Sequence, residues 1–163
     1  MWRIFLLLVL VVSPALAQSV SAVSVVPASN AQFYALRLRP GDDLREALLA
    51  YVAQQHLGAA AVLTCVGSLT VTTLRLANQE GPTEYRGHFE IVSLVGTLSA
   101  TGGSHLHLSV ADSTGRTLGG HLLAGCRVYT TAEIVLAALP ELEFTRETDP
   151  TFGYKELVVK PKK

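Results

Sequence analysis

Residues 104–122 read SHLHLSVADSTGRTLGGHL, and this stretch determines the fold. Polar and apolar residues alternate from Ser104 to Ala111, as expected for a strand with one buried face. Asp112-Ser113-Thr114-Gly115 is rich in turn-forming residues, and a second strand-like run follows from Thr117 to Leu123. The stretch therefore predicts an antiparallel β-hairpin.

The loop length of this hairpin determines whether its histidines meet. His105 and His107 share one face of the first strand, because residues two apart point to the same side. A three-residue loop after Asp112 would pair His107 directly with His121, with their Cβ atoms about 4.5–5.5 Å apart. A four-residue loop would instead turn His121 to the opposite face.

His105, His107 and His121 are the predicted metal ligands, and zinc is the expected metal. Zinc commonly takes three histidines and leaves its fourth position open. The glycine pair before His121 would allow a backbone or a ligand to approach closely. The alternative is that the three histidines are polar residues of the sheet face that bond to neighbours. No HExxH or comparable motif decides between the two interpretations.

Glu90 is the one weak candidate for a catalytic group, since it alternates with His88 on a predicted strand. It would act as a base if it lay near the histidines, or it would pair with an arginine on a neighbouring strand. The arginine pair is the favoured interpretation. No nucleophile elbow, P-loop or dinucleotide-binding motif is present, so the catalytic residues are otherwise unknown and no organic cofactor is predicted.

The two cysteines, Cys65 and Cys126, both lie in apolar strand-like runs. In an oxidising compartment they could form a disulfide, whereas two separate buried thiols fit their surroundings equally well. The sequence leaves both alternatives open, since it does not show whether the two side chains meet.

The remaining sequence predicts an α+β domain with a mostly antiparallel sheet of about seven strands, one long helix and one short helix. The long helix starts at Asp42 or Asp43 and continues to about Leu57, where Gly58 ends it. The short helix is predicted over Thr131 to Leu139, with a threonine cap and a terminating Pro140. Besides the hairpin, the predicted strands are Phe33–Arg39, Ala60–Val66, Leu69–Leu76, Tyr85–Leu94, Leu142–Arg146 and Tyr154–Val159.

The first seventeen residues have the pattern of a secretory signal peptide. Arg3 precedes the unbroken apolar run Ile4–Val12, and Ala15-Leu16-Ala17 supplies the small residues of a cleavage site. The run is shorter than the ~20 residues of a membrane-spanning helix, so no stable membrane anchor is expected, although an uncleaved anchor is the alternative. The sequence thus predicts a secreted or periplasmic protein cleaved near Ala17.

After the signal peptide, the predicted organisation is a flexible leader over 18–32, one domain over 33–159 and a basic tail over 160–163. Positive and negative residues balance at 13 each, and no basic stripe follows the body of the chain. Nucleic acid is therefore not an expected partner. The apolar composition of so short a chain favours burial of surface against copies of itself.

Several motifs together resemble the PPC (plants and prokaryotes conserved) domain, also called DUF296. The resemblance covers about Phe33 to Val159. It rests on motifs that occur in order along the chain: Gly87–Leu98, Ser104–Asp112, Gly119–Leu122, Thr130–Leu136, Phe144–Glu147 and Gly153–Leu157. It implies a sandwich-like α/β domain that assembles as a homotrimer. Stand-alone prokaryotic members retain the histidine pattern, which implies a metal site at His105, His107 and His121.

Three hypotheses for function follow. The first is an exported, oligomeric binding module with a histidine metal site, whose small-molecule or protein ligand is unknown, and it is favoured over an enzyme. The second is a zinc-dependent enzyme of unknown substrate, with Glu90 assisting. The third, DNA binding, follows only from plant relatives that carry an AT-hook. Export and the absence of an Arg-Gly-Arg-Pro core from this sequence argue against it.

Overall fold

A six-stranded antiparallel sheet forms most of the computed structural model, which describes residues 28–162. The predicted signal peptide and residues 18–27 of the predicted leader lie outside the described residues. The elements in chain order are β1 (Gln32–Leu38), α1 (Leu44–Gln54), β2 (Ala60–Arg75), β3 (Thr83–Ser99), β4 (Gly103–Ala111), β5 (Thr117–Leu122), β6 (Arg127–Ala138), β7 (Leu142–Thr148) and β8 (Lys155–Pro161). The sheet order is β1-β6-β2-β3-β4-β5, and β7 and β8 form a separate two-stranded sheet. The predicted α+β class with a mostly antiparallel sheet is confirmed.

The helix α1 covers the core face of the sheet. Asp43 caps its N-terminus by accepting bonds from the backbone amides of Arg45 and Glu46 at 3.1 and 3.2 Å. The helix residues Leu44, Leu48 and Val52 are fully buried in the core. The helix ends at Gln54, earlier than predicted, because His56 and not Gly58 takes the left-handed conformation that reverses the chain, with φ of 53°.

The predicted short helix over Thr131–Leu139 is wrong, because this segment belongs to the central strand β6. Its buried residues Ala132, Ile134 and Leu136 recur at every second position, the period of a strand. Threonine and Pro140 at the two ends resembled helix caps. Pairing with β1 on one side and β2 on the other overrides that local signal.

The sheet curls so that its edge strand β5 returns to the end of β2. Leu74 pairs with Leu122 and Arg75 pairs with His121, in addition to the pairing of β5 with β4. Gly120 permits this approach, since a Cβ atom there would lie 2.8 Å from the carbonyl oxygen of Arg75. The sequence predicts that a backbone or a ligand approaches the glycine pair before His121. The group that approaches Gly120 is the backbone of Arg75.

Cys65 and Cys126 are separate, buried thiols, so the disulfide alternative is not realised. Burial raises the pKa of Cys65 to about 12 and that of Cys126 to about 11. The Cys126 sulfur accepts a bond from the backbone amide of Thr73 at 3.1 Å. Neither thiol has the lowered pKa that a nucleophile needs, which agrees with a packing role.

The β7–β8 hairpin packs beside the main sheet without pairing with it. Leu142 and Phe144 are buried with Ala59 in a small second core, against which Val159 packs. The backbone amide of Phe144 donates to the carbonyl of Gly58 at 2.9 Å. Strand β8 continues to Pro161, so it includes the first two residues of the predicted basic tail. Within residues 28–162, no helix has the length and apolar character to cross a membrane.

Candidate metal centre

The β4–β5 hairpin has the predicted three-residue loop. The backbone amide of Asp112 donates to the carbonyl of Arg116 at 3.0 Å, and Gly115 is left-handed with φ of 81°. The Asp112 carboxylate accepts bonds from the Thr114 hydroxyl and from the Thr114 and Arg116 amides, and these bonds hold the pKa of Asp112 below its usual range. The resulting register places His107 opposite His121, as predicted.

This register brings all three predicted ligands together. The ring centroids of His105, His107 and His121 lie 5.1, 5.2 and 5.6 Å apart, and one ligand nitrogen from each ring lies within 4.8 Å of the others. Tetrahedral zinc holds its nitrogen ligands about 3.3 Å apart, given Zn–N bonds of about 2.0–2.1 Å. Small side-chain rotations would close that difference, so the donor set fits one shared ion.

The environment of the cluster favours the neutral form of two of its imidazoles, His105 and His121. Burial, followed by the charge of Arg75, lowers the pKa of His121 to about 4. The pKa of His105 is also lowered, by burial first and then by Arg146. Metals bind the neutral form of imidazole, so these shifts favour coordination over protonation.

His121 has a polar atom without a partner. Its Nδ1 is buried and forms no hydrogen bond with any described residue. Buried polar atoms are normally satisfied, and an unsatisfied one needs an explanation. A metal ion shared with the two neighbouring rings would provide one.

The ligand group contains no carboxylate or thiol within residues 28–162. Three protein ligands leave one position for water or a bound molecule, which is the pattern of zinc sites with an open coordination position. His107 is exposed, while His105 and His121 are half-buried, so the cluster is reachable from solvent.

Glu90 and His88 do not join the cluster. Glu90 pairs with Ala111, four residues along β4 from His107 and hence about 13 Å away. It forms no ion pair with any described residue, so the expected arginine partner is absent there as well. The His88 ring lies against Tyr129, with centroids 4.3 Å apart. A catalytic role for Glu90 stays a prediction.

The sequence did not indicate the cations around the cluster. Arg75 enters through the closure of β2 on β5, whereas Arg146 and Lys155 come from the β7–β8 hairpin. The sequence places Arg75 in the predicted strand Leu69–Leu76 but does not show that this strand approaches His121. Nothing in the sequence of the β7–β8 hairpin indicates that Arg146 and Lys155 lie near the histidines.

The family follows from comparison with known proteins. The sequence model of the Plants and Prokaryotes Conserved (PCC, also written PPC) domain matches residues 26–140. The chain belongs to this family. Strand β6 ends within the matched region, so the β7–β8 hairpin lies beyond the part that the PPC model describes.

Two curated relatives contain a similar domain within a longer chain. This chain is 50% identical over 136 residues to the bifunctional protein GlmU of Synechococcus sp., covering 83% of this chain and 21% of GlmU. It is 33% identical over 111 residues to the AT-hook motif nuclear-localized protein 13 of Arabidopsis thaliana, covering 58% of this chain and 25% of the relative. This PPC chain thus spans about a fifth to a quarter of these relatives' lengths.

Solved structures agree with the fold. A protein of Salmonella cholerae-suis superimposes with a TM-score of 0.81 at 48% identity, covering 83% of this chain and 98% of the other. A protein of Archaeoglobus fulgidus, described as metal-containing, superimposes with a TM-score of 0.72 at 22% identity, covering 83% and 99%. At that identity the second likeness supports the PPC fold alone.

Proposed function

We propose that this chain is an exported, self-associating PPC module that binds a divalent metal, with zinc as the expected ion, at His105, His107 and His121. The observation that carries the proposal is the convergence of three ligand nitrogens within 4.8 Å on one hairpin. The unpartnered Nδ1 of His121 supports it, as does the metal-containing Archaeoglobus protein of the same fold.

Self-association, as a homotrimer, is supported by apolar side chains exposed on two neighbouring strands. Leu63 and Val66 on β2 and Val92 on β3 are each more than half exposed. Clusters of this kind mark interaction surfaces in soluble proteins. Light scattering at micromolar concentration should give the mass of three chains, and a stable monomer would contradict this part of the proposal.

Export is proposed from the signal-peptide pattern of residues 1–17. When the full chain is expressed in a bacterium with a periplasm, the protein should leave the cytoplasm and its first residue should be Gln18. Mass spectrometry of the intact protein from each fraction gives both answers. An unprocessed chain retained in the cytoplasm would refute export.

An enzyme is the second candidate function, because three histidines would leave one coordination position of a bound zinc open and the cluster is reachable from solvent. Bound zinc would supply a Lewis acid and lower the pKa of its water. DNA binding, suggested by the AT-hook relative, is disfavoured by the proposed export and by the absence of the Arg-Gly-Arg-Pro core from this sequence. The metal is therefore the feature to test first.

Metal analysis of purified protein, with His107→Ala beside the wild type, tests the proposal. His88→Ala is the matched control, because it also removes an imidazole from the sheet but lies outside the cluster. Wild type and His88→Ala should each retain about one metal per chain, whereas His107→Ala should lose most of it, since each zinc ligand contributes several kcal/mol. Equal metal content in all three proteins would overturn the proposal.

A further inference from the structure

The β7–β8 hairpin forms two grooves over the histidine face of the sheet. One groove, of about 300 Å³, lies between His105, His107 and Leu157. The other, of about 400 Å³, lies between His105, His121 and Tyr154. Arg146 of β7 lines both grooves. Both volumes suit a small molecule, since ligand pockets begin at about 300 Å³.

The second groove carries excess positive charge. Arg75, Arg146 and Lys155 line it, with Glu156 as the one acidic residue. Within residues 28–162, none of the three cations forms an ion pair. Most exposed cations are simply solvated, but these three line one concave site together with His105 and His121. The uncompensated charge selects for an anionic occupant.

The two arginines come from different strands and line the same groove beside His105 and His121. Arg75 is held beside His121 by the register of β2 and β5. Arg146 is tied to the neighbouring strand of its own hairpin, because its guanidinium donates a hydrogen bond to the carbonyl oxygen of Lys155. The remaining N–H groups of Arg146 stay available in a planar arrangement that matches two oxygens of a carboxylate or a phosphate.

We infer that these grooves bind a small oxyanion, a carboxylate or a phosphate ester, which Arg75 and Arg146 recognise beside the metal position. This deepens the proposed function and depends on it only for the metal. The apolar Leu157 and the aromatic Tyr154, which are 40% and 69% exposed, would contact the uncharged part of the ligand. The inference assigns a substrate or ligand class to the site, and it combines Arg75 with Arg146, Tyr154 and Leu157, which lie outside the matched region 26–140.

Titration of the purified protein with inorganic phosphate and, separately, with succinate tests this inference. Calorimetry measures binding with and without added zinc, and the visible spectrum of cobalt-loaded protein reports an anion that reaches the metal. Arg146→Gln and Arg75→Gln are compared with Arg116→Gln, which removes the same charge from the β4–β5 loop. Thermal melts identify any variant that does not fold, in which case the other arginine variant carries the test.

At least one anion should bind wild type and Arg116→Gln equally well. Arg146→Gln should weaken that binding at least about tenfold, the usual loss for a charged hydrogen bond, with metal content unchanged. Tighter binding of phosphate would identify a phosphate ester, and tighter binding of succinate a carboxylate. Binding by neither anion, or equal binding by Arg146→Gln and Arg116→Gln, would overturn the inference.

The metal result remains separate from the anion result. Metal without anion binding would refute only the present inference. Anion binding by metal-free wild type that is weakened in Arg146→Gln would support the inference even if metal analysis refuted the proposed function. The two failures are therefore distinguishable.

Discussion

The β4–β5 and β7–β8 hairpins contribute to the same site but are held in place in different ways. The β4–β5 hairpin is part of the main sheet, and its loop sets the register that joins His107 with His121. The β7–β8 hairpin forms no ladder with that sheet and is anchored through Leu142, Phe144 and a backbone bond to Gly58. The histidine cluster is thus fixed by strand pairing, whereas Arg146 and Lys155 on the second hairpin depend on side-chain packing for their position.

Phe144→Ala is expected to have the largest effect, because it removes the anchor of the β7–β8 hairpin. Truncating a buried phenylalanine costs about 3–5 kcal/mol, which should unseat the hairpin while the main sheet stays folded. Hydrogen exchange should show faster exchange of the β8 amides, and metal content should be retained. Phe152→Ala, at the 73% exposed tip of the hairpin, is the control and should change neither.

Loss of the metal in Phe144→Ala, with intact amide protection in β4 and β5, would contradict the view that the main sheet alone positions the histidines. It would mean that the second hairpin supplies part of the metal site. Unchanged protection of the β8 amides from exchange would mean that the seven residue pairs between β7 and β8 keep the hairpin formed without the Phe144 side chain.

Gly120→Ala is expected to have the next largest effect and acts on the first hairpin. Its Cβ would lie 2.8 Å from the Arg75 carbonyl, so the pairing of β5 with β2 must shift. Overpacking of this kind costs about 1–3 kcal/mol and should displace His121. Thermal unfolding and metal titration should show lower stability and weaker metal binding than in Gly81→Ala, a control site where an added Cβ meets nothing within 4 Å. Equal behaviour of the two variants would show that the closure does not position His121.

The same contrast explains what the sequence could predict. The register of His107 and His121 follows from a loop of three residues and the two-residue period of a strand, so local rules were sufficient. The sequence predicts a helix over Thr131–Leu139 because threonine and Pro140 suggest helix ends, whereas the two strands that pair with this part of β6 are distant in sequence. Arg75 and Arg146 were missed for the same physical reason, since tertiary closure and packing bring them to the histidines.

A moderate effect is expected from pH on the metal-free protein. The pKa of His121 falls from 6.5 to about 4 on folding, because burial disfavours its charged form. Below pH 6.5 the unfolded chain therefore binds a proton that the folded chain does not, and the stability present above pH 6.5 is lost as the pH falls towards 4. Between pH 6.5 and 4, the melting temperature of the wild type should therefore fall more steeply with decreasing pH than that of His121→Gln.

Several carboxylates, including Asp112 and Asp149, also have lowered pKa values and destabilise the folded state in acid. The difference between wild type and His121→Gln isolates the histidine contribution. Parallel slopes would mean that burial of this imidazole does not hold it neutral. Added zinc should raise the melting temperature at pH 7 and lose this effect in acid, because protons compete for the ligand nitrogens.

Glu147→Gln is expected to have the smallest effect, although it removes an ion pair within the second hairpin. The Glu147 carboxylate lies 2.7 Å from Lys160 Nζ, and this hydrogen bond and charge lower the pKa of Glu147. Both side chains are exposed, so solvent and salt screen the attraction and the ordered side chains lose rotational freedom. Thermal unfolding should not distinguish this variant from the wild type. A clear loss of stability together with faster exchange in β8 would show that the ion pair, and not only the packing of Phe144, holds the second hairpin over the histidines.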